Sequence, residues 1–181
     1  MPTDVLTIGH STLSEAAFVA LLQQHGVKCV ADIRRFPGSR KYPHFNRDHL
    51  NDTLSQAGID YCWLELLGGR RGKQNLTVSP NTGLRNESFR NYADYMATEP
   101  FREGVDQLLA LAREKPTAMM CSEAVYWRCH RRLVSDFLQA NGIRVQHILS
   151  SAAPKPHTLT PGAVMDNGRV TYPSDSENAT A

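Results

Sequence analysis

No run in this 181-residue chain approaches the roughly 18 apolar residues that a membrane-spanning helix needs. The start M-P-T-D-V-L-T-I also lacks the basic flank and small-residue cleavage site of a secretory signal. The expected compartment is therefore the cytoplasm, with no membrane partner. Cysteine is scarce as well: Cys29, Cys62, Cys121 and Cys129 form no C-x-x-C pair. That pattern excludes a disulfide-dense secreted scaffold and argues against a structural zinc site, so free thiols are expected. No internal repeat is present, and the length suits one domain with a tail rather than two domains.

Acids are missing from particular places. Segments 34–47, 70–73 and 128–132 hold eleven of the twenty Lys and Arg residues and no carboxylate at all. The rest of the chain keeps nine basic residues against eighteen acidic ones, although the formal net charge is only +2. Positive charge is thus concentrated, and concentration points to an anionic partner.

The hydrophobic pattern alternates between two periods. Strands are expected at 5–8, 27–33, 59–64, 117–120 and 144–149, and helices at 14–25, 47–57, 88–97, 101–114 and from about 129 to 140. Ser14 is a plausible N-cap; Gly26, Gly58 and Gly142 are stops, and Pro100 divides two helices. Strand–helix alternation predicts an α/β fold: a single three-layer domain over 1–150 with a mostly parallel sheet of about five strands and helices on both faces. The tail, 151–181, is expected to hold a small hairpin turning at Asn167-Gly168 and a frayed end.

Ligands of an open parallel sheet bind along the carboxyl edge of its strands. That rule gathers His10 and Ser11 after the first strand, Asp32 and Arg34 after the second, Gly69 and Arg70 after the third, and Cys121, Ser122 and Glu123 after the fourth. The next segment opens with Cys129, His130 and Arg131. Helical spacing to Leu133, Val134 and Phe137 turns His130 inward, puts Cys129 and Arg131 beside the buried stripe and leaves Arg132 facing solvent. The helix start is expected to acidify Cys121 and Cys129.

Cys121 is a candidate nucleophile, Glu123, His130, His10 and Asp32 candidate acids or bases, and Cys129 a second candidate thiol. Each has a blander alternative: a packing thiol, a hydrogen-bonded core histidine, or a carboxylate neutralising an arginine. Ser11, Arg34, Ser39, Arg40, Gly69, Arg70, Ser122 and Arg131 are candidate anion contacts. Cysteine phosphatase and rhodanese loops offer an analogy, but Arg128 comes seven residues after Cys121, one too many for such a loop. A Cys/His zinc site from Cys121, Cys129, His130 and His10 is the minor alternative; no cofactor is expected. In R-R-F-P-G-S-R-K-Y-P-H-F-N-R, cations interleave with aromatics, as suits phosphate contact with base stacking.

The motifs T-I-G-H-S, D-I-R-R-F-P-G-S-R, F-N-R, E-L-L-G-G-R-R, F-R-N-Y-A-D-Y-M and M-C-S-E-A-V-Y-W-R-C-H-R occur in this order. Together they resemble the family known as domain of unknown function 488, over residues 5 to about 148. The resemblance implies an α/β fold and brings no reaction. By motif match it singles out Gly9, His10, Ser11, Asp32, Arg34, Pro37, Ser39, Arg40, Phe45, Gly68, Gly69, Arg70, Cys121, Glu123, Cys129, His130 and Arg131. The expected function is an enzyme acting on a phosphorylated substrate such as a nucleotide or nucleic acid. The alternatives are a non-catalytic nucleotide or nucleic-acid binding module and, more weakly, a thiol or metal sensor.

Overall fold

The computed structural model describes residues 3–175. Five parallel strands, β1 (Asp4–Gly9), β2 (Cys29–Asp32), β3 (Asp60–Trp63), β4 (Thr117–Cys121) and β5 (Arg144–Ile148), form the sheet expected from the alternation. Its order is β3-β2-β4-β1-β5-β6, where the short antiparallel β6 (Lys155–Pro156) closes one edge. β6 escaped the sequence reading because two residues carry no period. β2 and β4 are fully buried, as runs such as C-V-A-D and T-A-M-M require when helices cover both faces.

The helices are α1 (Glu15–Gln24), α2 (Arg47–Gln56), α3 (Glu87–Tyr95), α4 (Glu99–Glu114) and α5 (Arg131–Ala140). Two hydrophobic clusters flank the sheet, one using Phe18, Leu22, Leu50 and Leu54 of α1 and α2, the other Tyr92, Phe101, Leu108, Leu133 and Leu138 of α3 to α5. Ser14 caps α1 by accepting a hydrogen bond from the Ala17 amide at 3.1 Å. Pro100 does not divide two helices from outside; it lies in the first turn of α4, where its missing N–H costs nothing.

The hairpin β7 (Val164–Asp166) and β8 (Arg169–Thr171) turns at Asn167 and Gly168, both with positive φ (49° and 76°), as a type I′ turn demands. Val170, Tyr172 and His157 are buried, so the segment after β5 packs into the larger cluster rather than hanging from it. The expected frayed end lies beyond the described residues. No helix among the described residues is long and apolar enough to cross a membrane.

Candidate functional site: a basic pocket over a thiol pair

The carboxyl ends of the strands are laced together beyond the sheet. The His10 amide donates to the Cys121 carbonyl (3.0 Å), Ser11 to Ser122 (2.9 Å) and Ile33 to Met120 (3.0 Å). Loops one, two and four are therefore neighbours, as the parallel-sheet argument requires. Gly9 permits this lacing, because a methyl group there would come within 1.7 Å of the Glu123 carbonyl.

A cavity of about 660 Å³ opens at this edge, a size that suits a small-molecule ligand. His10, Ser11, Arg34, Ser39, Gly69, Arg70, Cys121, Ser122, Glu123, Cys129 and His130 line it. It also takes Arg35, Lys41, Arg128 and the aromatics Phe36, Tyr42 and Phe89, which the sequence reading did not single out as site residues. Five cations against one carboxylate make the wall positive. Among the candidates, Asp32, Arg40 and Arg131 are not part of it. Arg40 points to solvent.

Asp32 and Arg131 are consumed by the framework. Asp32 is buried and accepts hydrogen bonds from the Arg34 amide (3.0 Å), Arg34 Nε (2.9 Å), Arg34 Nη2 (2.7 Å) and Tyr61 Oη (2.5 Å). Its role here is to fix the Arg34 guanidinium, leaving Nη1 to face His10 Nε2 at 3.5 Å. Arg131, expected beside the stripe, is completely buried. It donates to the Glu123 carbonyl (2.6 Å), Thr7 Oγ1 (3.3 Å) and Cys129 Sγ (3.2 Å), pinning the loop after β4 from beneath. Arg132 does not face open solvent either: its Nε donates to Thr160 Oγ1 at 2.7 Å, because the C-terminal segment covers that side of α5.

Gly68 and Gly69, in the motif E-L-L-G-G-R-R, leave room for another group to approach the backbone closely. In the structure they admit protein: a Cβ at Gly68 would meet the Arg35 Cα at 2.8 Å, and one at Gly69 would meet His130 Nδ1 at 2.8 Å. Tyr92 and Tyr95 hold the preceding turn by donating to the carbonyls of Leu67 (2.7 Å) and Leu66 (2.6 Å). Arg71 is tied to the Gly68 carbonyl at 2.9 Å and stacked on Tyr95, so only Arg70 of this pair reaches the cavity.

His130 sits inward, below the loop, as its helical spacing predicted. Its Nε2 lies 2.8 Å from the Ile33 carbonyl, which can only accept, so Nε2 carries the hydrogen. Nδ1 is left facing Cys121 Sγ at 4.0 Å. The thiols do not behave alike. Cys121 is held well below the usual thiol range, first by the Cys129 thiol that donates to it and then by His130 and Arg131, against the opposing effect of burial. Cys129 is pushed well above that range by burial and by the Cys121 charge. The expectation that both would be acidified gives way to a pair that carries one negative charge. His10 is lowered by burial, with the Arg34 charge adding to it, and stays neutral, stacked on Phe45 at 4.1 Å.

Cys121 Sγ, Cys129 Sγ and a ring nitrogen of His130 lie within 4.8 Å of one another, the donor set of a soft divalent ion. A backbone carbonyl on the other ring nitrogen is the usual outer support of such a ligand.

A buried chain of hydrogen bonds also leads away from the pocket. Arg131 donates to Thr7; Thr7 Oγ1 lies 2.6 Å from His147 Nδ1; His147 Nε2 lies 2.9 Å from His157 Nδ1; His157 Nε2 lies 2.7 Å from Asp136. Arginine can only donate and carboxylate only accept, so a single donor-to-acceptor direction runs through every link. Tyr126 stacks on His147 at 3.5 Å. The sequence hinted at this only through polar residues at inward positions, His147 two after Val145 and Asp136 three after Leu133.

Fold and site together define an α/β protein with a basic cavity over a cysteine pair. The profile of Domain of unknown function DUF488 matches residues 14–138, and the chain belongs to that family. No curated protein and no solved structure matches this chain.

Proposed function

We propose that the chain is an enzyme acting on a phosphorylated substrate, a nucleotide or nucleic acid, through a covalent adduct on Cys121. The cavity floor carries this reading: an acidified thiol beside a histidine of fixed tautomer, under a wall of cations. Arg34, Arg70 and Arg128 hold the phosphate. The Cys121 thiolate forms a bond to the electrophilic atom while the leaving oxygen departs and takes a proton. Water then breaks that bond, returning the thiolate and releasing a proton to Glu123, His10 or His130. The low thiol pKa makes the nucleophile available near neutral pH.

A non-catalytic nucleotide or nucleic-acid binding module is the second reading, favoured by Phe36, which is 67% exposed at the cavity rim beside Arg35 and Lys41. The thiol or metal sensor is favoured by the donor set at Cys121, Cys129 and His130. Metal analysis of protein purified without chelator tests it. For the first two, the test is binding of nucleotides and short oligonucleotides at several salt concentrations, with turnover followed in parallel. Under the enzyme reading C121S and H130Q keep affinity and lose turnover. If only the arginine changes matter, the protein is a binder. Binding that ignores salt removes the support of both.

A further inference from the structure

We infer that Cys121 and Cys129 form a peroxide-reactive dithiol, with Cys121 the residue oxidised first and Cys129 the resolving thiol. Two free thiols lie within 4.8 Å of each other at the floor of an open cavity, and each is partly accessible from it (7% and 6% exposed). Cys29 is fully buried in β2. Cys129 has an extended backbone (φ −138°, ψ 171°) where the chain passes from a 3-10 turn into α5. The sulfurs start within 4.8 Å of each other and must close to the roughly 2.05 Å of a disulfide.

The surroundings also supply the charge movement. His130 Nδ1 faces Cys121 Sγ at 4.0 Å, placed to take its proton, whereas Cys129 Sγ accepts hydrogen bonds from the Arg131 side chain and amide. A hydroperoxide ROOH accepts attack by the Cys121 thiolate: the S–O bond forms, the O–O bond breaks, and RO⁻ takes a proton and leaves as ROH. Cys121 is then a sulfenic acid, whose sulfur is an electrophile for a second thiol. Arg131 Nε, 3.2 Å from Cys129 Sγ, together with its amide at 3.4 Å, now favours the Cys129 thiolate. That thiolate attacks the Cys121 sulfur; the S–S bond forms, the S–O bond breaks, and hydroxide leaves as water on taking a proton. Two thiols and ROOH thus give a disulfide, ROH and H₂O. The sulfinic stage is avoided because the resolving thiol is already in place. If Cys121 is the nucleophile proposed above, the disulfide also silences the site reversibly; only this consequence rests on that reading.

Fully reduced, chelator-treated protein exposed to hydrogen peroxide and digested with trypsin decides the matter by mass, with no need for activity. Cleavage after Arg128 separates the two cysteines, and Lys115 is protected by Pro116. The expected product is peptide 114–128 joined to peptide 129–131, lighter by two hydrogens and released by dithiothreitol. In C129S, Cys121 should accumulate as a sulfenic acid trapped by dimedone; in C121S, Cys129 should stay reduced. The inference is overturned if wild-type Cys121 goes to sulfinic acid unlinked, if it pairs with Cys29, Cys62 or a second chain, or if both thiols survive a dose that oxidises free cysteine. Turnover by the wild-type protein together with a negative peptide map would leave the enzyme reading standing and remove only this one.

Discussion

Replacing Asp136 by alanine should destabilise the protein severely, whereas asparagine should be tolerated. Asp136 is completely buried and accepts from His157 Nε2 (2.7 Å), the Thr160 amide (3.0 Å) and Tyr172 Oη (2.7 Å), all in the segment after β5. Alanine leaves three buried donors without an acceptor. Each costs about 1–3 kcal/mol, and since the costs do not add fully, the loss should be about 3–5 kcal/mol. That is a large part of the 5–15 kcal/mol by which domains are usually stable. With a urea slope of about 2–3 kcal/mol per M the midpoint falls by roughly 1–2.5 M. Asparagine keeps one oxygen for the His157 and Thr160 N–H groups and turns its amide toward the Tyr172 hydroxyl, which can accept; about 1 kcal/mol is expected. A loss under about 1 kcal/mol for alanine refutes the account of this hub. Equal losses for both variants would refute the reading of this hub as a set of accepted hydrogen bonds, because they would make the carboxylate's charge itself indispensable.

Acidification should weaken the fold through His147, which burial, helped by His157 and Arg131, lowers to about 3. The unfolded chain takes up this proton near pH 6.5 and the native one does not, so stability is whole above that pH and falls by about 1.4 kcal/mol per unit below it, toward about 3; urea midpoints between pH 7.5 and 5 measure this, and H147Q should flatten the slope. G69A should displace the His130 ring, costing about 1–3 kcal/mol and slowing Cys121 alkylation, because its new methyl lands 2.8 Å from Nδ1. R128A should weaken polyanion binding and reduce the salt slope by about one unit, while R40A should leave both nearly unchanged, since Arg128 lines the cavity and Arg40 does not.

Much of the fold was legible because its signals are local and periodic. Buried runs such as C-V-A-D, the Ser14 cap and the Asn167-Gly168 turn each declare themselves within a few residues. The parallel order then brought Cys121, His10 and Arg70 to one edge without further knowledge. What could not be read was how long side chains divide their donors. Arg131, Arg71 and Arg128 are alike in sequence, yet one holds a loop from inside, one is tied to a turn and one faces the cavity. Gly69 looked like room for a ligand and is room for His130, a packing fact set by residues sixty positions apart. The Thr7–His147–His157–Asp136 chain joins four elements, and no local pattern announces a contact between β1 and β5, α5 and the tail.

The central claim is that Cys121 is an acidified thiolate inside an anion-binding cavity. It is tested most directly by the rate of Cys121 alkylation by iodoacetamide across pH 4 to 10, read by peptide mass with and without a phosphorylated ligand. The account predicts a midpoint clearly below the ~8.5 of a free thiol, with slower labelling when nucleotide or oligonucleotide is present. A midpoint at or above that of free cysteine, together with labelling that no phosphorylated ligand slows, would contradict it.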